Sequence, residues 1–183
     1  MSVQPVNPID KILIRPMLDE DVPQVQQIDR LSFSLPWPDS AYAYELHENP
    51  GSLLWVAEID DPAGGRKVVG MAVVWLIVDE AHIATIAILP EYRGQHIAQL
   101  LIATALHSAA ANGMSSATLE VRARNIPAQK LYGSFGFKVA GFRPRYYQDN
   151  QEDALIMTLD ALDRRYLETM DQMLSKQVSG ERQ

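Results

Sequence analysis

The chain has 183 residues, of which 47% are hydrophobic, so it can bury a sizeable core and is too apolar for a disordered protein. It has no cysteine, which excludes disulfides, thiolate metal sites and cysteine nucleophiles. The formal net charge of −7 argues against a nucleic-acid-binding protein, which normally carries a basic face.

The length of the chain predicts a single domain, and the lack of a predicted signal peptide or membrane span makes the cytoplasm the expected location. Residues 1–10 lack the basic and apolar regions of a signal peptide, and the longest apolar run, Val68 to Val78, is too short to cross a bilayer. We expect a flexible tail over 1–10, one domain over 11–160, and a C-terminal helical extension and tail over 161–183. The amphipathic stretch Leu162 to Gln177 either packs on the domain or forms an interface, so the oligomeric state stays open.

The spacing of apolar residues predicts a mixed α/β fold in the order β-α-α-β-β-β-α-β-α-β-β, with helices on both faces of a mixed central sheet. The predicted strands are Lys11–Arg15, Leu53–Ile59, Lys67–Val78, His82–Leu89, Ala117–Val121, Phe137–Phe142 and Asp153–Leu159. The predicted helices are Asp19–Leu31, Ala41–Glu48, His96–Asn112 and Asn125–Phe135. An aromatic and basic loop, Arg143 to Tyr147, is expected to join the last two strands.

One strand–turn–helix stretch, Ala84 to Ala98, is a candidate ligand site. Ile86 to Leu89 has the pattern of a central strand, Pro90 ends it, and a glycine-containing turn leads into an apolar helix. Such a turn leaves backbone N–H groups at the positive end of the helix dipole, which suits a phosphate group. From this stretch alone, an ordinary connection without a ligand is an equally good interpretation.

The strand–helix–strand unit between Ile83 and Val121 is expected to make its two strands parallel neighbours. Ligands in such folds bind at the C-terminal ends of the strands, beside the helix N-terminus. We therefore expect the Arg93–Ala98 turn, Glu120 and the Asn125–Tyr132 helix to surround one cleft.

Two motifs at this cleft resemble the GNAT superfamily of N-acetyltransferases. The family's coenzyme A motif is Gln/Arg-x-x-Gly-x-Gly/Ala, and Arg93-Gly94-Gln95-His96-Ile97-Ala98 occupies it. The stretch from Asn125 to Phe137 also matches, and the resemblance covers nearly all of Ile12 to Leu159. His96 departs from the pattern, because the family usually has glycine there. Since helical φ and ψ angles remain available to histidine, we expect the turn to persist and acetyl-CoA binding to be retained.

Other stretches resemble the RimI-type ribosomal-protein-alanine N-acetyltransferases: Ser34-Leu35-Pro36-Trp37, Tyr44-Glu45-Leu46, Leu119-Glu120-Val121-Arg122, Arg145-Tyr146-Tyr147 and Glu152-Asp153-Ala154-Leu155-Ile156-Met157. This resemblance implies acetyl transfer from acetyl-CoA to the N-terminal α-amine of a protein, for example a ribosomal protein, by direct attack through a tetrahedral intermediate and without a metal. The alternatives are an acetyltransferase for a small amine or polyamine, and a non-catalytic acyl-CoA-binding module.

The resemblance also implies roles for individual residues. Glu120 would be the general base, acting through a water, and Tyr132 the acid that protonates the departing thiolate. The ordinary interpretations are a solvated strand-end carboxylate and a tyrosine at the edge of the core. Acetyl-CoA would be bound by Ile86, Ala87, Ile88, Arg93, Gly94, Gln95, His96, Ile97, Ala98, Gln99, Asn125 and Tyr132.

Asn125 and three aromatic residues each have more than one possible role. Asn125 can bond the pantetheine amides, cap the following helix, or do both. Trp37, Tyr146 and Tyr147 are candidate walls of a peptide groove, although aromatic residues of this kind also serve as packing anchors.

Overall fold

The computed structural model describes residues 12–61 and 64–178, and within these ranges the chain forms seven strands and five α-helices. The strands are β1 (Leu13–Pro16), β2 (Ser52–Asp60), β3 (Arg66–Ile77), β4 (Glu80–Ile88), β5 (Ser116–Arg122), β6 (Lys138–Tyr147) and β7 (Glu152–Leu159). The helices are α1 (Val22–Ser32), α2 (Ala41–His47), α3 (Ile97–Ala111), α4 (Ile126–Ser134) and α5 (Arg164–Val178). This order confirms the predicted one. The expected tail over 1–10 lies outside the described residues.

The strands form one sheet in the order β1-β2-β3-β4-β5-β7-β6. All neighbouring strands are antiparallel except β4 and β5, whose parallel pairing confirms the predicted crossover. Their pairing extends from Glu80 and Ser116 to Ile83 and Leu119, and in the described structure it ends there. The remainder of β4 therefore has an edge that β5 does not cover.

The side chains of β5 alternate between the two faces of the sheet, and helices cover both faces. Ala117, Leu119 and Val121 are buried in one core cluster with side chains of α3 and α5. Tyr42 of α2 belongs to the second cluster, together with residues of α1. Because successive strand residues point to opposite faces, Thr118, Glu120 and Arg122 lie on the face opposite α3 and α5.

The last antiparallel pair differs from its prediction. A loop was expected from Arg143 to Tyr147, but β6 continues to Tyr147, which pairs with Glu152. The pairing is irregular between Arg143 and Tyr147, and Arg145 has a φ of 51°. Pro144 does not end this strand, because β6 is the edge of the sheet and an edge strand does not need every N–H.

The C-terminal helix α5 packs on its own domain, which was one of the two alternatives. Leu162 and Met170 are buried in the core, and the Tyr166 hydroxyl donates to the carbonyl of Phe135 at 2.8 Å. No helix in the described part of the chain is long and apolar enough to span a membrane.

A buried ionic cluster ties β1 to the turn before α1. The Arg15 guanidinium donates to both carboxylate oxygens of Asp21, at 2.6 and 2.8 Å, and to Glu58 at 2.9 Å. The Leu18 N–H also donates to Asp21 at 2.8 Å. Burial acts to raise the pKa of Asp21, but the hydrogen bonds from Arg15 and Leu18 outweigh it, so this pKa lies below its ordinary value.

The substitution Asp21→Asn is expected to lower the free energy of unfolding at pH 7 by about 2 kcal/mol. This loss is smaller than the ~3–5 kcal/mol that breaking a fully buried ion pair costs, because Arg15 still pairs with Glu58 in the variant. Since the folded-state pKa of Asp21 is depressed, its stabilisation exists above the unfolded-state pKa and is lost as the pH falls through the folded-state value. The difference between variant and wild type should therefore shrink at acid pH.

Urea denaturation at pH 7 and at pH 3 measures this difference. Asp19→Asn is the matched control, because Asp19 lies in the same turn with 73% of its side chain exposed and pairs with the exposed His47. A loss equal to that of the control, or one that does not vary with pH, would contradict the assignment.

Candidate active site

The candidate site lies where β4 and β5 part. Ile86, Ala87 and Ile88 pair with β3 along one edge of β4, and β5 no longer covers the other edge. An uncovered strand edge offers backbone donors and acceptors to an extended polar chain. These residues, predicted to contact pantetheine, therefore lie where such contacts are geometrically available.

The turn after β4 leads into the N-terminus of α3. Gly94 has a φ of 75° and His96 a φ of 62°, and α3 begins at Ile97. The first turn of α3 contains no acidic residue, and the His96 side chain does not cap it but pairs with the side chain of Gln99. The positive end of the helix dipole is thus not neutralised by a local carboxylate, as a phosphate-binding helix N-terminus requires.

His96 holds a left-handed conformation, so the expectation that it would adopt helical angles was wrong. Its φ of 62° and ψ of 6° belong to the region that glycine occupies without strain. The turn imposes this geometry at the position where the family usually has glycine. Histidine is among the non-glycine residues enriched in this region, so it takes the same geometry at a cost in conformational energy.

Arg93 braces this turn. Its Nε donates to the carbonyl of Ile88 at 3.0 Å, and its Nη2 lies 3.5 Å from the hydroxyl of Ser32 in α1. The side chain therefore links the end of β4 to α1, a task that the motif did not reveal. Its predicted contact with acetyl-CoA stays a prediction.

Glu120 is a nearly buried carboxylate with a cationic or titratable partner at each oxygen. Only 11% of its side chain is exposed, so the interpretation as a solvated strand-end group does not fit. Arg143 Nη2 lies 3.0 Å from Oε1, and His82 Nε2 lies 3.2 Å from Oε2. Neither partner was predicted from the sequence, although the predicted parallel pairing of the two strands contained a signal for His82.

The phenol of Tyr147 interacts with this carboxylate, and the phenol of Tyr132 interacts with Tyr147. Burial raises the pKa of Tyr132, and the phenol of Tyr147 adds to this effect. Burial also raises the pKa of Tyr147 to about 12; the positive charge of Arg122 opposes the shift, whereas Tyr146 and Glu120 reinforce it. Tyr147 thus interacts electrostatically with both Glu120 and Tyr132, and both phenols keep their protons at neutral pH.

Asn125 is the N-cap of α4. Its Oδ1 accepts a hydrogen bond from the N–H of Ala128 at 3.2 Å, which confirms the capping interpretation. A second contact with pantetheine stays a prediction.

The three aromatic residues predicted to line a peptide groove lie in two places. Trp37 is stacked between Tyr42 and Trp75, with ring centroids 5.3 and 6.0 Å apart, so it serves as a packing anchor. Tyr146 is 44% exposed and makes an edge contact with Tyr147 at 5.3 Å. A contact of these side chains with an acceptor peptide stays a prediction.

Arg122 joins two loops beside these residues. Its Nη2 donates to Asp149 at 2.8 Å, in the turn between β6 and β7, and its Nη1 lies 3.3 Å from Glu152. Ser34, in the loop between α1 and α2, donates its hydroxyl proton to Asp149. The guanidinium carbon of Arg122 also lies 3.9 Å from the ring centroid of Tyr147. This bridge was not foreseen from the sequence.

The model of the acetyltransferase (GNAT) family matches residues 22–137. This span includes the turn into α3, Glu120 and Tyr132. The chain belongs to the GNAT acetyltransferase family.

Relatives with named activities show which members of the GNAT family this chain resembles. A putative ribosomal protein bS18-alanine N-acetyltransferase of Bacillus subtilis is 40% identical over 147 residues, covering 80% of this chain and 94% of the relative. The ribosomal protein bS18-alanine N-acetyltransferase of Escherichia coli K12 is 30% identical over 141 residues, covering 76% of this chain and 90% of the relative. The crystal structure of the ribosomal-protein-S18-alanine N-acetyltransferase from Escherichia coli has a TM-score of 0.71 at 29% identity, covering 82% of this chain and 94% of that chain.

The substitution His96→Gly should stabilise this GNAT acetyltransferase by about 1 kcal/mol, because it removes the strain of a left-handed non-glycine residue. It should also keep or tighten the affinity for acetyl-CoA. Gln95→Gly is the matched control, since Gln95 is not among the residues with positive φ, and it should lower stability slightly.

Urea denaturation and calorimetric titration with acetyl-CoA measure the two effects. A loss of stability in His96→Gly would contradict the claim that the left-handed conformation of His96 is strained. A large loss of affinity would instead make the imidazole a phosphate ligand.

Proposed function

We propose that this GNAT acetyltransferase transfers the acetyl group of acetyl-CoA to the N-terminal α-amine of a protein, of the kind represented by ribosomal-protein alanine. The observation that carries the proposal is Glu120, a nearly buried carboxylate on the strand that parts from β4, which interacts with the protonated phenol of Tyr147. Tyr147 interacts in turn with the protonated phenol of Tyr132. The named activity of the relatives supports the choice of acceptor.

In this proposal acetyl-CoA lies along the gap between β4 and β5. The backbone of Ile86 to Ile88 bonds the pantetheine amides, with Asn125 opposite. The N–H groups of Gly94 to Gln99 hold the pyrophosphate at the N-terminus of α3, where the dipole favours negative charge. The open β4 edge and the absence of an acidic residue in the first turn of α3 fit this placement.

Glu120 acts in this scheme on the acceptor amine. A free α-amine has a pKa of about 7.7–8.0, so much of it carries a proton at neutral pH and cannot attack a thioester. The carboxylate removes that proton through a water, a contribution typically worth about 10²–10⁴ in rate. The neutral nitrogen then attacks the acetyl carbon to form a tetrahedral intermediate. The carbon–sulfur bond breaks as this intermediate collapses, and the nitrogen loses its second proton to solvent.

Tyr132 acts on the leaving group. Its raised pKa keeps the phenol protonated until the thiolate forms, and it then gives its proton to the sulfur. The phenolate regains a proton from solvent and Glu120 releases the one it took, so the net products are the acetylated amine, free coenzyme A and one proton. A backbone N–H of Ile86 to Ile88 stabilises the oxyanion, a contribution often worth about 3–4 kcal/mol.

A panel of acceptors tests the choice of substrate. With acetyl-CoA, peptides that begin with alanine should be acetylated faster than the same peptides with a blocked N-terminus and an internal lysine, and faster than polyamines. Mass spectrometry should place the acetyl group on the α-amine. Acetylation of polyamines or lysine alone would contradict the proposal, and tight acetyl-CoA binding without turnover would indicate a non-catalytic module.

The substitution Glu120→Gln tests the base. We expect kcat/KM to fall by about 10²–10⁴ at low pH and by less at high pH, where more of the amine is already neutral. Glu91→Gln is the control, because the side chain of Glu91 is 57% exposed and pairs with Lys67. The measurement is the pH profile of kcat/KM for both variants, and an unchanged profile in Glu120→Gln would remove Glu120 from this role.

A further inference from the structure

An aromatic stack runs through the molecule from α2 to β4. Trp75 of β3 lies between Trp37 and His82, with ring centroids 6.0 and 5.6 Å away and the planes within 22° of parallel. Tyr42 of α2 extends the stack on the other side of Trp37. Trp75 is fixed in addition by its indole N–H, which donates to Glu45 at 3.0 Å. The ring of His82 is therefore held in a defined plane.

The sheet places this ring beside the candidate base. His82 is opposite Thr118 in the β4–β5 register, and Glu120 lies two residues further along β5, on the same face. Diagonal neighbours of this kind are within reach of long side chains. The distance of 3.2 Å between His82 Nε2 and Glu120 Oε2 follows from this register, and 18% of the His82 side chain is exposed.

The two oxygens of Glu120 have unequal partners. Oε2 faces the stacked His82, whose ring cannot turn without breaking the stack. Oε1 faces Arg143, whose side chain is 54% exposed and belongs to the irregular stretch of β6. The Arg143 guanidinium also lies 5.4 Å from the ring centroid of Tyr146, a second favourable place for this cation. The partner of Oε1 can leave, and the partner of Oε2 is fixed.

We infer that His82 is a positioning residue for Glu120: its Nε2–H holds Oε2, fixes the plane of the carboxylate, and leaves Oε1 as the oxygen that takes the proton. This inference rests on the proposed role of Glu120 as the base. The charged and titratable groups facing this pair are Arg143 and Tyr147 of β6, with Glu45 of α2 beyond the indole of Trp75.

Two substitutions separate the hydrogen bond from the stack. His82→Phe keeps a flat ring but cannot donate, whereas His82→Gln loses the ring and keeps an N–H donor. With the acceptor that the wild type acetylates best, kcat should fall about tenfold or more in His82→Phe, as expected for losing a hydrogen bond to a charged group, with KM for acetyl-CoA unchanged. His82→Gln should recover most of this loss. His107→Gln, a histidine on the surface of α3 that pairs with Asp171, is the matched control.

Equal losses in both variants, or full activity in His82→Phe, would overturn the inference. A readout without an acceptor keeps it distinct from the proposed function. In ¹⁵N–¹H NMR spectra of the free protein, the Nε2–H of His82 should give a resonance that exchanges slowly with solvent, because it donates to Glu120. This resonance should be lost in Glu120→Ala, which removes the hydrogen-bond acceptor, and should persist in His107→Gln. Its persistence in Glu120→Ala would overturn the pairing, even if no acceptor were acetylated.

Discussion

The short parallel contact between β4 and β5 is the constraint on which the site depends. Four residue pairs join the two strands, from Glu80–Ser116 to Ile83–Leu119, and then the strands separate. The crossover helix α3 begins just beyond the free part of β4, so the open edge and the helix N-terminus lie next to each other in the chain. Had the pairing continued, the backbone of Ile86 to Ile88 would be used within the sheet and the gap would close.

The same separation explains the environment of Glu120. A carboxylate that is removed from water needs partners, because an isolated buried charge is costly. Here the partners come from strands on both sides, His82 from β4 and Arg143 from β6. A fully compensated carboxylate is stable but is a poor base. If Glu120 is the base, as proposed, its stability and its reactivity oppose each other, and the balance depends on how firmly each partner is held.

Much of the fold could be predicted from the sequence, because it depends on local patterns. The alternating residues of β5, the proline after β4 and the connection through α3 determined the parallel pair. The motif around Arg93 and the match at Asn125 to Phe137 indicated where a ligand would lie. These signals are contained in short stretches of chain.

The remaining features depend on tertiary geometry. The left-handed angle of His96 is imposed by the turn, and the presence of a histidine does not by itself predict a positive φ. The strand continues past Pro144 because β6 is at the edge of the sheet, and the local sequence does not reveal that position. The contacts of Glu120 with His82 and Arg143 require the register of four strands, β4, β5, β7 and β6. His82 and Glu120, 38 positions apart in the sequence, meet only once that register is known.

The bridge made by Arg122 has a consequence for the proposed binding of an acceptor peptide. Ser34 and Asp149 are 115 residues apart in the chain, yet they and Arg122 join the loop before α2 to the turn after β6. The loops are thus ordered during folding, so under the proposed function a peptide bound between them would lose less conformational entropy. Because the bridge is ionic and lies near the surface, salt weakens it. High salt should then lower acceptor affinity through looser loops while the sheet itself stays folded.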